Sequence, residues 1–328
     1  MKLPLSVLDL SPVSAGVAPS QAVRESIELC VAAERLGYTR YWFAEHHNMA
    51  SIAASAPEIL IAYAAAKTSR IRLGAGGIMV PNHAPLHVVE TFRTLEALAP
   101  GRIDLGLGRA PGTDPVTSAA LRREHVEVNQ LLAELLAFED GAFPPSHAFA
   151  KIVPMPSDVP CSTLWMLGST LAGASIGAQL GVPYAFAGHF AMQHARTAIA
   201  HYKDRFEPSH RLARPYAMCA VTVICGEDDD HARRLTAPVR VTVVNTRTGK
   251  RAPIPSIEDA LARTFTPEEQ AIADDFLAGA VIGGPERVHD RLLALAEELA
   301  VDELMISSLV PGLDERRRAL ERIATVLG

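Results

Sequence analysis

Short apolar runs alternate with amphipathic stretches along almost the whole chain. Leu5–Leu8 reads as a first strand. A helix from about Gln21 to Leu36 follows, with Ser20 offered as N-cap, Gly37 as the left-handed terminator, and Val23, Ile27, Cys30 and Val31 at i, i+4, i+7 and i+8. The aromatic run Tyr41–Ala44 gives strand two. Pro57 opens an alanine-rich helix to Lys67, Ile71–Val80 is a third strand containing three glycines, and Pro85 starts a helix that stops at Pro100-Gly101. Ile103–Gly108 is strand four, followed by a helix over Val116–Phe138 and a proline-rich irregular segment, Phe143–Pro160. Strand five is Thr163–Leu167 with a helix over Leu171–Leu180; strand six is Tyr184–Phe186 with a helix over Ala191–Phe206; strand seven is Tyr216–Cys225. Residues Glu227–Ala280 read as helical at both ends around an excursion rich in Pro, Gly, Lys and Arg, Asn245–Ser256. Pro285–Leu299 is a helix, Glu303–Ser307 strand eight and Asp314–Val326 the last helix.

Strict strand–helix alternation implies parallel pairing with right-handed crossovers, and eight units is the number that closes a barrel. The expected fold is α/β, a (β/α)8 TIM barrel with an enlarged connection between strands seven and eight. It forms one domain over residues 1–328, with an insertion at 238–280 expected to cover the barrel mouth. The competing arrangement, an open doubly wound sheet with a small second domain made from the excursion, has no linker-like composition shift to support it.

Composition narrows the function classes. At 328 residues, 48% hydrophobic and 21% charged, the chain can bury a sizeable core. A net charge of −6 with scattered Lys and Arg offers no footprint for nucleic acid or an anionic membrane. Cys30, Cys161, Cys219 and Cys225 form no CxxC pair and read as small buried hydrophobes in a reducing compartment. The start, MKLPLSVLDL, lacks the apolar core of a signal peptide, and no window approaches the roughly 18 apolar residues of a membrane span. A soluble, cytoplasmic protein is the expectation.

In a barrel the site lies on the C-terminal face, so the residues just after each strand carry the chemistry. Asp9 follows strand one; Glu45, His46 and His47 follow strand two; Gly74, Gly76 and Gly77 end strand three; Gly106, Gly108 and Arg109 end strand four. Glycine weakens a strand and is explained by a close approach, here by a planar ligand or by a barrel bulge. Gly168-Ser169-Thr170 before a helix of small residues combines free N–H groups, two hydroxyls and a positive helix end, a phosphate seat to which Arg109 adds the cation. The bland alternative for Ser169-Thr170 is an ordinary N-cap. His46, His47 and the pair His83/His87 at i, i+4 also admit a metal-dependent hydrolase, although strand one lacks the HxH usual in such barrels.

These residues carry a resemblance. The chain is similar over essentially its whole length to the bacterial luciferase-like family of flavin-dependent monooxygenases, and most to its single-chain, non-luminescent branch. The likeness lies in Phe43-Ala44-Glu45-His46-His47; Gly76-Gly77-Ile78-Met79-Val80-Pro81 with His83 and Pro85; Pro100-Gly101-Arg102-Ile103-Asp104-Leu105-Gly106; Gly108-Arg109; Leu167-Gly168-Ser169-Thr170; and Val182-Pro183-Tyr184-Ala185-Phe186-Ala187. The resemblance implies an oxidoreductase using reduced FMN and O2 to oxygenate a small organic substrate through a flavin C4a-peroxide. His46 matches the active-site histidine, with Glu45 beside it. Gly76-Gly77 match a non-prolyl cis peptide against the flavin ring, and Arg109, Gly168, Ser169 and Thr170 match the phosphate contacts, implying FMN rather than a dinucleotide. Phe186, His189 and Phe190 fall where they would wall the substrate side. A homodimer through the second and third helices follows from the same likeness.

Two departures accompany it: Gly108 stands where light-emitting members have a reactive cysteine, and Gly173 replaces a hydroxyl in the phosphate helix. The first puts luciferase activity in doubt and makes a flavin-binding barrel without catalysis a second alternative; a deazaflavin-using relative is a milder one. No GxGxxG-type motif follows a strand, so a separate flavin reductase is expected as partner.

Overall fold

Arg40–Phe43, buried at every position, is the second of eight parallel strands that close on themselves. The computed structural model describes residues 3–121, 127–160 and 162–327. Its strands are β1 (Leu5–Asp9), β2 (Arg40–Phe43), β3 (Arg72–Met79), β4 (Ile103–Gly108), β5 (Thr163–Gly168), β6 (Tyr184–Phe186), β7 (Ala217–Cys225), β8 (Val281–Gly283) and β9 (Glu303–Ser307). The barrel runs β1 to β7 in chain order and closes through β9, which pairs with β7 on one side and β1 on the other. The helices are α1 (Pro19–Arg35), α2 (Pro57–Ala65), α3 (Pro85–Leu98), α4 (Pro115–Ala120), α5 (Val128–Asp140), α6 (Leu171–Gln179), α7 (Gly188–Ala191), α8 (Ala195–Asp204), α9 (Asp229–Arg247), α10 (Ile257–Ala262), α11 (Pro267–Leu277), α12 (Pro285–Leu299) and α13 (Leu313–Leu327). This is the TIM barrel expected from the alternation.

Four local expectations need correction. A ninth strand, β8, pairs Val281–Gly283 with Val223–Cys225. It exists because β7 is nine residues long: Met218–Thr222 serve the barrel through β9, and the remainder projects past that pairing. The helix expected over Val116–Phe138 is two: α4 ends at Ala120 with Leu121 as its C-cap, and Glu127 is extended before α5; residues 122–126 of that expectation lie outside the described residues. The helix expected from Ala191 is preceded by α7 and a 3-10 turn, Met192–His194. Ser20 lies within α1, whose first residue is Pro19, while Gly37 does adopt a left-handed φ of 84°. Cys161 and the first two residues lie outside the described residues; Cys30, Cys219 and Cys225 are buried and free, and burial pushes the Cys219 thiol up to about 12. Among the described residues no helix is long and apolar enough to cross a membrane.

The barrel floor is polar but closed. Arg40 Nε and Nη2 donate to both oxygens of Glu303 at 2.8 and 2.9 Å, and Nη1 donates to Asp104 at 2.8 Å. Ser6 and Tyr216 hydroxyls also donate to Glu303, and Arg72 and the Trp42 indole donate to Asp104. Above this layer Trp42 meets Trp165 edge-on at 5.2 Å, with the Arg40 guanidinium 4.7 Å from the Trp165 ring.

This filling accounts for most of the strand glycines. A Cβ on Gly74 would lie 2.6 Å from Trp42 Nε1, one on Gly77 would lie 2.6 Å from Gly106 O, and one on Gly106 would run into Ala75 O. The register of β3 against β4 shifts between Gly76 and Ile78, so the bulge reading holds and no ligand is needed to explain Gly74, Gly77 or Gly106.

Removing Arg40 leaves the buried Glu303 without its cation and Asp104 with Arg72 alone, and breaking a buried ion pair in this way costs about 3–5 kcal/mol. Arg40→Ala is accordingly expected to lower the thermal unfolding midpoint far more than the exposed Arg233→Ala; equal midpoints for the two variants would show that the cluster does not hold the barrel.

Candidate active site

Beyond β2 the backbone folds back on itself: His46 N–H donates to Ala54 O at 2.8 Å and His47 N–H to Gly112 O at 3.3 Å. Neighbouring side chains therefore diverge. Glu45 turns inward, with no exposed surface, and accepts from Met79 N–H at 2.7 Å, Asn82 Nδ2 at 3.0 Å, His47 Nε2 at 3.0 Å and His83 Nε2 at 2.9 Å. Burial alone would raise its pKa, yet the bonds from His83, Asn82 and His47 outweigh it and hold the carboxylate below its usual range. His83 is shifted the opposite way, upward, because the Glu45 bond and charge overcome its own desolvation. Glu45 is thus a tie between the ends of β2 and β3 and does not line the cavity described next.

His46 points the other way, into a cavity of about 570 Å3 at the C-terminal ends of the strands, lined also by Gly76, Gly108, Arg109, Ser169 and Thr170. Its Nδ1 is buried without a partner, as is Nδ1 of His189, which lines the same cavity. Burial depresses both imidazoles; Glu45 partly offsets this at His46, and the neighbouring His46 pushes His189 further down, to about 3. Both rings are therefore neutral near pH 7.

Opposite them, Arg109 has no partner for its buried Nε among the described residues. Thr170 is the N-cap residue of α6, but its side chain makes no capping bond, so the N-cap alternative fails and the first-turn N–H groups stay open. Gly173 has a local reason: a Cβ there would stand 3.1 Å from Gly168 Cα, so the residue lets α6 press on β5. The Gly76–Gly77 peptide is cis.

Of the residues expected from sequence, the structure gathers His46, Gly76, Arg109, Gly168, Ser169, Thr170, His189 and Phe190 around one cavity, and leaves Glu45, Gly77 and the fully buried Phe186 off it. A smaller chamber of about 140 Å3 shares Leu10, His46, His189 and Phe190 with it and continues to Thr222, Ser307, Val239 and Phe276. Sequence reading missed these last four. Thr222 and Ser307 fall on β7 and β9, where the barrel rule would have found them; Val239 and Phe276 gave no local signal. His47 and His83 are engaged with Glu45 and His87 is exposed, and among the described residues no three His, Cys, Asp or Glu side chains are placed to hold a metal.

The profile of the luciferase-like monooxygenases matches residues 3–303. The chain belongs to the luciferase-like monooxygenases. One member from Escherichia coli K12, a luciferase-like monooxygenase, is 38% identical over 309 residues, 93% of this chain and 91% of the relative. The solved structure of apo-MsnO8 superposes with a TM-score of 0.92 at 35% identity, covering 99% of this chain and 98% of the other. The oxygenating constituent of 3,6-diketocamphane monooxygenase from Pseudomonas putida, solved with FMN, shares the fold at a TM-score of 0.70 and 18% identity over 99% and 97% of the two chains. In this luciferase-like monooxygenase the Met79 side chain fills the space beside Gly108: a Cβ there would lie 2.6 Å from Met79 Cε.

The Glu45–His83 tie has a pH signature. A depressed carboxylate stabilises above its unfolded value of about 4.3 and loses that contribution as pH falls through its folded value; a raised imidazole stabilises below about 6.5 and loses it as pH rises through its folded value. His83→Gln should therefore fall furthest short of the wild-type melting temperature between about pH 4.3 and 6.5, with the gap narrowing above that window. A gap constant from pH 5 to 9 would show that the pair does not titrate as a unit.

Proposed function

We propose that the protein is an FMN-dependent monooxygenase acting with reduced flavin and O2 on a small organic substrate. The observation that carries this reading is the pairing of an unpartnered, buried Arg109 Nε with the uncapped N-terminus of α6 and the Ser169 and Thr170 hydroxyls. That donor set suits one phosphate monoester: guanidinium, hydroxyls and helix N–H groups all donate, and no carboxylate among the cavity residues on that side opposes them except Glu127. Gly76 and Gly108 line the same cavity, so a ring held there would lie against the ends of β3 and β4.

When bound, reduced FMN supplies the electrons that activate O2, one oxygen atom passing to the substrate and the other leaving as water. The chain's own contribution is to orient and to keep water out. His46 lines the cavity with its Nδ1 unpartnered, a neutral imidazole able to hold or pass a proton, a role its lowered pKa permits at pH 7. His189 and Phe190 wall the substrate side, and Glu45 fixes the loop from which His46 projects. Residues 238–280 form a cover over the mouth: Val239 and Phe276 already line the chamber beside His46. A separate reductase delivers the flavin. A homodimer forms through α2 and α3, where Ile59, Tyr63 and Leu98 are exposed.

Absorbance titration with FMN, followed by oxygen uptake with reduced FMN, tests the reading. Loss of charge-assisted hydrogen bonds worth about 1.5–3 kcal/mol should weaken FMN binding of Arg109→Ala by roughly ten- to a hundredfold. His46→Ala should bind FMN within about threefold of wild type yet lose at least about a hundredfold in oxygenated product, the usual scale for a positioned acid or base. Flavin binding with no oxygen uptake across a panel of organic acceptors would identify a binding protein instead.

A further inference from the structure

The 140 Å3 chamber is too small for a whole ligand, since pockets for small molecules run to about 300–1,000 Å3. It is an arm of a larger space. At its inner end it joins the cofactor-sized cavity through Leu10, His46, His189 and Phe190. At its outer end it shares Met49, Ser51 and Thr246, together with His46, which lines all three spaces, with a mouth cavity of about 750 Å3. The walls between are Ile52, Val239, Val243, Phe276 and Leu309, with no carboxylate among the lining residues.

Charge enters only at the outer end. Arg247, the last residue of α9, lines the chamber next to Thr246, and its guanidinium has no ion-pair or hydrogen-bond partner among the described residues. Lys250 and Arg251 line the adjoining mouth, where Arg251 is already bonded to Asn48 Oδ1. The one carboxylate lining that mouth, Asp114, is engaged by Asn48 Nδ2, by the Thr117 hydroxyl and by the first N–H groups of α4. The channel is thus apolar and uncharged inside and cationic at its lip.

We infer that the substrate is an amphipathic anion: a short apolar arm lies in the chamber with its tip toward His46 and His189, and a carboxylate-type headgroup rests on Arg247. This rests on reading the joined cavity as an oxygenation site, and it places oxygen insertion on the arm, away from the charged end. A cation binding the same headgroup in solvent contributes little, so the discrimination Arg247 supplies is about fivefold, the upper range for an exposed ion pair.

Ligand-observed NMR titrations of the whole protein with hexanoate, hexan-1-ol and hexylammonium, with and without FMN, test the assignment. Hexanoate is expected to bind about fivefold more tightly than hexan-1-ol, Arg247→Ala to erase that preference, and Arg247→Glu to shift it toward hexylammonium. Thr246→Trp, at an exposed position that cannot disturb the core, should weaken all three by narrowing the throat. A wild-type preference for the alcohol or the ammonium, an unchanged preference in Arg247→Ala, or undiminished binding in Thr246→Trp each overturns the inference. These are binding measurements that require no oxygen chemistry, so their failure leaves the monooxygenase reading standing, and absent oxygen uptake leaves them standing in turn.

Discussion

One guanidinium sets the geometry on which the rest depends. Arg40 projects from β2 into the barrel and reaches Glu303 on β9 and Asp104 on β4, so a single side chain spans five consecutive strands. Buried ions of this kind add little net stability compared with an apolar filling, because desolvation consumes most of the attraction. Their effect is on specificity: each donor and acceptor must find its partner, and only one stagger of the strands satisfies them all. The two tryptophans rest on that layer, Gly74 and Gly76 of β3 make room for Trp42, and the strand ends above deliver His46 and Arg109 to a common cavity.

Much of this was legible along the chain. Strand–helix alternation is a local property, and turn residues such as Gly37 and Pro57 mark it wherever they occur. His46, Arg109 and Ser169 were legible because strand ends in a barrel have a fixed address. What escaped depended on the direction of a side chain or on distant packing. Glu45 and His46 are adjacent in sequence, yet the turn after Ala44 sends one into the wall and the other into the cavity. The glycines looked like an opening for a ligand, and three of them answer instead to atoms of neighbouring strands. Val239 and Phe276 carry no motif, and β8 is three residues long, too short for any period to show.

The chemistry of the cavity follows from what is left unpaired. A buried polar atom with no partner is costly, and several such atoms around one space mark a surface shaped for something that binds there. Arg109 Nε and the two imidazole Nδ1 atoms are of this kind, whereas the polar atoms of the barrel floor are almost all satisfied. The molecule thus separates a lower layer in which polarity is closed and rigid from an upper layer in which it is open.

The length of β7 has a consequence for how such a protein can diversify. Its first part is a stave of the barrel, and its last three residues, through β8, hold a separate small core of Ile224, Leu235, Val239 and Val243. Because the two halves of one strand answer to different neighbours, helices grafted onto the upper half can be lengthened, shortened or reshaped while the closure below keeps its register. The barrel wall and the small core above it are carried on the same strand, yet they are free to change at different rates.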